Sequence, residues 1–350
     1  MLTVVAIVPK LALTGGNLEV ERLMRDLKTQ GCAVSILPLY SKKTSLTAAL
    51  LGAPCFTLGA ILNILRYKPG ILIITHYTTL PYALLGRICR FKTIAFVQDF
   101  EWLFVSRNAT VQLIVKAYHL LFYLFIDCFV FGNRYLESGF PTSAKNPRLF
   151  GDRKRCILYP VGSKSYSKAS VKPRVGVGFI LRKGWLKNQS MYHDVFSCLI
   201  ASKEIYPAFL DGIDFLGSTA LSAKYAALGI HLCPPKPPAE IPSWMAGLNI
   251  FLCLSIHEGF GLPPLEAMLQ GAIPLVLMNG GCTAYMEPFP ELVISPNSSA
   301  ADVANKIACV LSWQDSQLSS LRCRLKEHAT QYLSWAEKTR HFASADIAIL

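Results

Sequence analysis

The chain has 350 residues, 52% of them hydrophobic and 16% charged. That is long enough for two domains of ordinary size and too apolar for a disordered or fibrous protein. The net charge of +13 is unevenly held: residues 1–200 carry 26 basic and 9 acidic side chains, residues 201–350 carry 9 and 13. An anionic partner for the first part follows (phosphate, phospholipid or nucleic acid), although no nucleic-acid readout module or base-stacking motif is recognisable, which makes nucleic acid the least favoured.

Met1–Lys10 lacks a basic start and a small-residue cleavage site, so it reads as a buried first strand and not as a signal peptide. Eleven scattered cysteines without a C-x-x-C pair read as buried free thiols in a reducing compartment, hence a cytoplasmic location. The N-x-S/T triplets at Asn108, Asn188 and Asn297 then carry no glycan. Short apolar runs predict strands at Thr3–Val8, Ala33–Leu37, Gly70–Thr75, Thr93–Val97 and Cys128–Phe131, with a helix over Asn17–Gln30 stopped by Gly31. Val111–Phe131 is long enough to span a membrane, but Gln112, Lys116, His119 and Asp127 are costly at bilayer depth. A buried helix followed by a buried strand explains it better. The Ser/Lys/Pro-rich Gly151–Arg174 reads as an interdomain linker or exposed loop. Further strands are expected at Val175–Leu181, Ile213–Leu216, Ile230–Cys233, Ile250–Leu254, Ile273–Leu277 and Leu292–Ile294. Helices are expected over Tyr192–Ser202, Pro264–Gln270, Ala301–Leu311 and the tail, about Gln317–Leu350. The alternation predicts an α/β chain of two Rossmann-like parallel-sheet domains facing each other across a cleft: 1–155, 156–330, and a terminal helix 331–350 packing back on the first domain.

The most informative stretch is Ser255–Val276, S-I-H-E-G-F-G-L-P-P-L-E-A-M-L-Q-G-A-I-P-L-V. An apolar strand enters a Gly-rich turn and then a helix, with Pro264 suited to its start and Gly271 to its end. Glu258 leaves the strand and Glu266 sits in the first helical turns, so both carboxylates can face one crevice at the carboxyl edge of the sheet. Gly259 and Gly261 allow close backbone approach, and N–H groups near the helix start can hold an anion. Taken alone, a Gly-rich turn with two solvated glutamates is an ordinary structural feature.

The full string resembles the E-x7-E signature of family 4 retaining glycosyltransferases of GT-B fold; Glu258, Gly259, Phe260, Gly261, Leu262, Pro263, Glu266, Ala267 and Gly271 fall in register, while Leu269 and Pro274 depart from it. The resemblance implies that Glu258 lies near the donor-sugar hydroxyls, that Glu266 bonds the nucleotide ribose, and that backbone N–H groups of Phe260–Leu262 face sugar and diphosphate. It also implies an Arg and a Lys five apart on the leaving phosphates, where transition-state charge accumulates. Arg182 and Lys187 have that separation, with Leu181 and Asn188 where the family has glycines; Lys183-Gly184 is a competing register, and a merely basic surface loop the alternative. Gly15-Gly16 before a helix resembles the family's opening phosphate loop, and Asn279-Gly280-Gly281 its second G-G turn.

On the acceptor side, His76 ends a strand where family members often have histidine, or it is an edge histidine bonded to backbone. Gln98-Asp99 stands where many relatives have H-D, which puts a histidine-dependent step in doubt. Asp99 remains a candidate for the acceptor hydroxyl; Glu101 and Trp102 are weaker ones. The resemblance thus implies metal-independent transfer, with no cofactor, of a hexosyl or deoxyhexosyl group from a nucleotide diphosphate-sugar. The acceptor would be a hydroxyl of a glycan or glycolipid, as in polysaccharide or lipopolysaccharide biosynthesis at the bacterial cell surface. The first 155 residues would serve the acceptor and 156–330 the donor. A non-catalytic nucleotide-sugar-binding scaffold is the alternative. The basic first domain, with apolar Phe56–Leu65 and Leu113–Phe125, further suggests peripheral attachment to an anionic membrane on the cytoplasmic face of the inner membrane, core helices beside a solvated basic face being the alternative.

Overall fold

Strands that are apolar along both faces need helices on each side, which parallel sheets provide. The computed structural model has two six-stranded sheets in which every pairing is parallel. The structure describes residues 1–9, 15–39, 59, 61–140, 154–157, 175–182, 184–203, 205–206, 210–214, 219–230 and 232–349. The chain divides into two units, Met1–Pro160 with Ala336–Leu350, and Val161–Trp335.

Unit 1 runs β1 (Thr3–Val8), α1 (Gly15–Thr29), β2 (Ala33–Pro38), β3 (Ile71–Ile74), α2 (Pro81–Ile88), β4 (Lys92–Val97), α3 (Glu101–Val105), α4 (Ala109–Tyr123), β5 (Cys128–Phe131), α5 (Arg134–Gly139) and β6 (Lys154–Ile157). Its sheet order is β2-β1-β3-β4-β5-β6, so the winding reverses between β1 and β3. Alternate residues feed two cores, as a period of two requires. Val5, Ile7, Leu72, Ile74, Phe129 and Phe131 pack on one face. Val4, Ala6, Ile71, Ile73 and Val130 meet Leu23 and Leu27 of α1 on the other, together with Ile347 from the chain's last helix.

Three expectations change here. The stretch read as linker contains β6, which pairs Cys128 with Lys154 through Phe131 with Ile157. Its K-R-C-I sequence hid it, because a strand in which two of four residues are cations carries little apolar signal. The rest of Gly151–Arg174, like most of Phe56–Leu65, lies outside the described residues. Gly15 and Gly16 open α1 instead of forming a loop before it. And α4 is not wholly buried: Leu113, Ile114, Leu121 and Leu124 are exposed along one stripe. The Asp127 carboxylate earns its place below that helix by accepting from the Thr93 N–H at 2.8 Å and pairing with Arg87. No helix among the described residues is long and apolar enough to cross a membrane.

Unit 2 runs β7 (Val175–Leu181), α6 (Gln189–Ala201), β8 (Leu210–Asp214), α7 (Thr219–Ala227), β9 (Leu232–Cys233), α8 (Ile241–Ala246), β10 (Leu248–Cys253), α9 (Leu262–Leu269), β11 (Ile273–Leu277), α10 (Thr283–Met286), β12 (Val293–Ile294), α11 (Ala300–Leu311) and α12 (Asp315–Ile349), whose residues from Ala336 onward belong to unit 1. The order β12-β11-β10-β7-β8-β9 sets β7 beside β10, and the winding reverses between them. Each strand follows the apolar runs of the sequence, although β8 begins at Leu210, earlier than expected. Helix α9 begins at Leu262 with Pro263 and Pro264 as its second and third residues, and Gly271, at φ +75°, stops it. The cysteines with described side chains are free; Cys32, Cys128, Cys253 and Cys282 are buried as expected, whereas Cys309 and Cys323 are exposed.

Candidate active site

In doubly wound sheets, ligands bind outside the carboxyl ends of strands where the winding reverses. In unit 2 that point lies between β7 and β10, and the residues following those two strands are Arg182–Lys187 and Ser255–Gly261. The two loops are tied together: the Ile256 N–H donates to the Leu186 carbonyl at 2.8 Å. Lys187 Nζ stands 2.8 Å from Glu258 Oε1, with each side chain only about 13–14% exposed. The same ammonium reaches the His257 carbonyl at 3.5 Å. Burial pushes the Glu258 carboxyl up. The Lys187 charge and hydrogen bond, a Ser255 hydrogen bond and the Arg182 charge outweigh burial, so the group is held below its ordinary value. Glu258 is therefore an anion at neutral pH, with Lys187 against it and Arg182, itself exposed, within electrostatic reach. Lys183, the competing cation, lies outside the described residues.

The backbone behind this pair explains the local sequence. Asn188, where the resembled motif has glycine, is left-handed at φ +54°, ψ +44°; asparagine tolerates that region better than most residues. Gly261 is left-handed at φ +79°, and a Cβ there would come 2.3 Å from Cys282 Sγ. The Gly261 carbonyl accepts from the Tyr285 hydroxyl. A Cβ on Gly281 would fall 2.2 Å from the Glu258 carbonyl oxygen, because Glu258 bridges to Gly280 along the backbone. Asn279 is buried and spends its amide internally: Nδ2 donates to the Ser255 carbonyl at 3.3 Å and Oδ1 accepts from the Cys282 N–H at 3.2 Å. Its observed role is to pin the Glu258 loop, which differs from the donor contact the motif implies. Phe260 likewise turns inward, packing on Tyr285 and Tyr332. Gly259 sits in the turn between Glu258 and Phe260, half-buried Leu262 is the first residue of α9, and Glu266 lies one turn into that helix, half-buried.

Sequence reasoning missed the supports. Tyr192 of α6 accepts from the Leu254 N–H at 2.9 Å and donates to the Leu252 carbonyl at 3.2 Å, clamping the exit of β10. Nothing in its helical context signals this. Cys253 and Cys282 are structural: burial, with the nearby Glu258 charge, pushes the Cys253 thiol up to about 11, and burial likewise raises Cys282 well above its ordinary value. Both are protonated and unreactive at neutral pH.

In unit 1, Gly15-Gly16 and His76 follow β1 and β3, the strands flanking that sheet's reversal. A pocket at the strand ends is lined by His76, Gln98, Asp99, Glu101 and Tyr123, among others. His76 caps a short turn: its Nδ1 accepts from the Thr78 N–H at 3.3 Å. Its Nε2 faces Glu101 Oε1 at 3.7 Å, and Glu101 Oε2 meets His119 Nε2 at 3.4 Å. Asp99 caps the Phe100 N–H at 2.8 Å. Trp102 is buried against Phe100 and His119, so its side chain serves packing. His119 was legible only as a polar interruption of an apolar run. Among the described residues no three His, Cys, Asp or Glu side chains gather to hold a metal ion.

Residues 221–332 match the family model described as glycosyl transferases group 1. The chain is 30% identical over 94 residues to the putative glycosyltransferase ORF330 of Acidianus filamentous virus 2 (isolate Italy/Pozzuoli), covering 25% of this chain and 28% of that protein. It is 31% identical over 99 residues to putative glycosyltransferase 41 of Sulfolobus islandicus filamentous virus (isolate Iceland/Hveragerdi), covering 27% and 29%. The chain therefore spans less than a third of the length of these relatives. Among solved structures, sucrose-phosphate synthase of Thermosynechococcus elongatus superposes with a TM-score of 0.73 at 14% identity, covering 97% of this chain and 96% of that one. HepE of Anabaena in complex with UDP-glucose gives 0.71 at 15% identity over 100% of both chains. An E. coli protein described as trehalose-6-phosphate bound with UDP-2-fluoro glucose gives 0.66 at 12%, covering 99% of each. At such identities the likeness is one of fold. Two parallel Rossmann-like sheets and these neighbours make this a two-domain GT-B fold, whose second unit carries a match to glycosyl transferases group 1.

Proposed function

We propose that the chain is a retaining, metal-independent glycosyltransferase. It would move a hexosyl or deoxyhexosyl group from a nucleotide diphosphate-sugar to a hydroxyl of a glycan or glycolipid. One observation carries the reading: a buried carboxylate, Glu258, held ionised by Lys187 and Arg182 at the strand reversal of unit 2. The group 1 family match and UDP-sugar complexes of structures with this fold support it.

In the proposed reaction the bond from the anomeric carbon to the leaving phosphate oxygen breaks, its electron pair staying on that oxygen. The acceptor oxygen bonds the same carbon from the same face, and its proton passes to the leaving phosphate. Arg182 and Lys187 stabilise the charge that accumulates on the diphosphate. Glu258 faces the sugar hydroxyls and the positive charge growing at the anomeric carbon, while Glu266 takes the ribose. Gly15 and Gly16, at the start of α1, offer N–H groups to a phosphate; Phe260–Leu262 do so through backbone. His76 and Asp99 serve the acceptor side.

The exposed apolar stripe of α4 (Leu113, Ile114, Leu121, Leu124) and the basic excess of residues 1–200 fit a glycolipid acceptor at an anionic membrane of the cytoplasmic face. The test is a panel of nucleotide diphosphate-sugars with glycan and glycolipid acceptors, followed by release of nucleoside diphosphate and by NMR of the product anomer. Transfer with retained configuration in metal-free buffer is expected. Donor binding without turnover across the panel would favour the scaffold, and inversion would refute the mechanism.

A further inference from the structure

The pocket of unit 1 sets one carboxylate, Glu101, between two histidines. His119 is 1% exposed, and its Nδ1 lies 2.7 Å from the Val115 carbonyl oxygen. A carbonyl only accepts, so Nδ1 carries a proton. Nε2 of the same ring lies 3.4 Å from Glu101 Oε2. A carboxylate only accepts, so a hydrogen bond at this contact requires a proton on Nε2 as well. On the other side, His76 Nδ1 accepts from the Thr78 N–H, which leaves its ring proton on Nε2, facing Glu101 Oε1. Both oxygens of one carboxylate on the pocket wall are thus addressed by imidazole N–H groups, one from the pocket rim and one from the core.

From this we infer that His119 is a positioning residue of the pocket: as a buried imidazolium it fixes the Glu101 carboxylate, whose remaining lone pairs bind a hydroxyl of the sugar acceptor. The acceptor part rests on the function proposed above; the protonation part does not. The other ionisable groups around this pair are Asp99 and Tyr123, which share the pocket wall, Lys116, whose ammonium lies 5.7 Å over the Trp102 ring, and Tyr77 and Tyr118, whose rings contact His119.

The experiment uses the full chain with 15N-labelled histidine. At neutral pH the His119 ring is expected to show two protonated nitrogens, and in Glu101→Gln one bare nitrogen. In transfer assays Glu101→Gln and His119→Phe should raise the acceptor KM about ten- to a hundredfold, the cost of losing a charge-assisted hydrogen bond, with donor affinity within twofold. His119→Gln, which retains a donor, should recover part of the loss. A bare His119 nitrogen in the wild-type chain overturns the inference, as does an unchanged acceptor KM in Glu101→Gln. If His119→Phe does not fold, the spectrum of the wild type and the KM of Glu101→Gln decide. If the wild type shows the doubly protonated ring but transfers no sugar to any acceptor, the proposed function fails and the His119–Glu101 pairing stands.

Discussion

The two units set a glutamate beyond a central strand of each sheet and hold it in opposite ways. After β10, Glu258 meets the Lys187 ammonium at 2.8 Å. After β4, Glu101 lies between two histidines at 3.4 and 3.7 Å, groups whose charge depends on the proton each holds. The contrast teaches that a glutamate beyond the carboxyl end of a parallel strand is either a fixed anion or an adjustable one, according to its partner. A fixed anion facing fixed cations suits a phosphorylated, permanently charged ligand; a carboxylate wired to imidazoles suits a neutral, hydroxylated one.

The comparison breaks most visibly at the ion pair. Lys187→Met leaves a buried carboxylate without its main partner and should cost about 3–5 kcal/mol in chemical denaturation, part of which Lys187→Met/Glu258→Leu should restore. Glu258→Gln keeps the shape and removes the charge, so it should lower turnover about a hundredfold with smaller change in donor binding, whereas Arg182→Ala should damage both; steady-state kinetics and donor titration separate the two. Acid provides a milder cut. Because the folded Glu258 carboxyl sits below its ordinary value of 4.5, its stabilising contribution is complete above that value and is lost as pH falls through the depressed one. Denaturation midpoints should therefore drop more steeply below pH 4.5 in the wild type than in Lys187→Met/Glu258→Leu. The smallest effect on the fold belongs to Leu121→Asp on the exposed stripe of α4: stability should change by no more than about 0.5 kcal/mol, while flotation with anionic liposomes should fall. Equal flotation of wild type and variant would remove the membrane reading.

Strands were the most legible part of the chain, since apolar runs such as Ile71–Ile74 and Ile273–Leu277 have one physical use, the middle of a parallel sheet. Edges were less so: β6 is K-R-C-I, with only two apolar residues to announce a strand. Of the candidate site, the Glu258 string and the five-residue spacing of Arg182 and Lys187 were readable because they are contiguous. Glu101 and His119 lie 18 positions apart on different helices, and no local pattern announces that α3 and α4 bring them to 3.4 Å. Asn279 was legible only as part of its N-G-G run, whose glycines give Glu258's backbone the room it needs while the amide pins the loop.

The left-handed turn at Asn188 has a consequence for which substitutions this chain can bear. What position 188 must supply is a pair of dihedral angles that lets the chain pivot from the lysine into α6; a side chain's identity matters there only through its tolerance of that pivot. Glycine should be accepted freely, and a β-branched residue should cost about 1–2 kcal/mol, swinging Lys187 off its carboxylate. The departure from the motif's lettering is thus a synonym written in conformation.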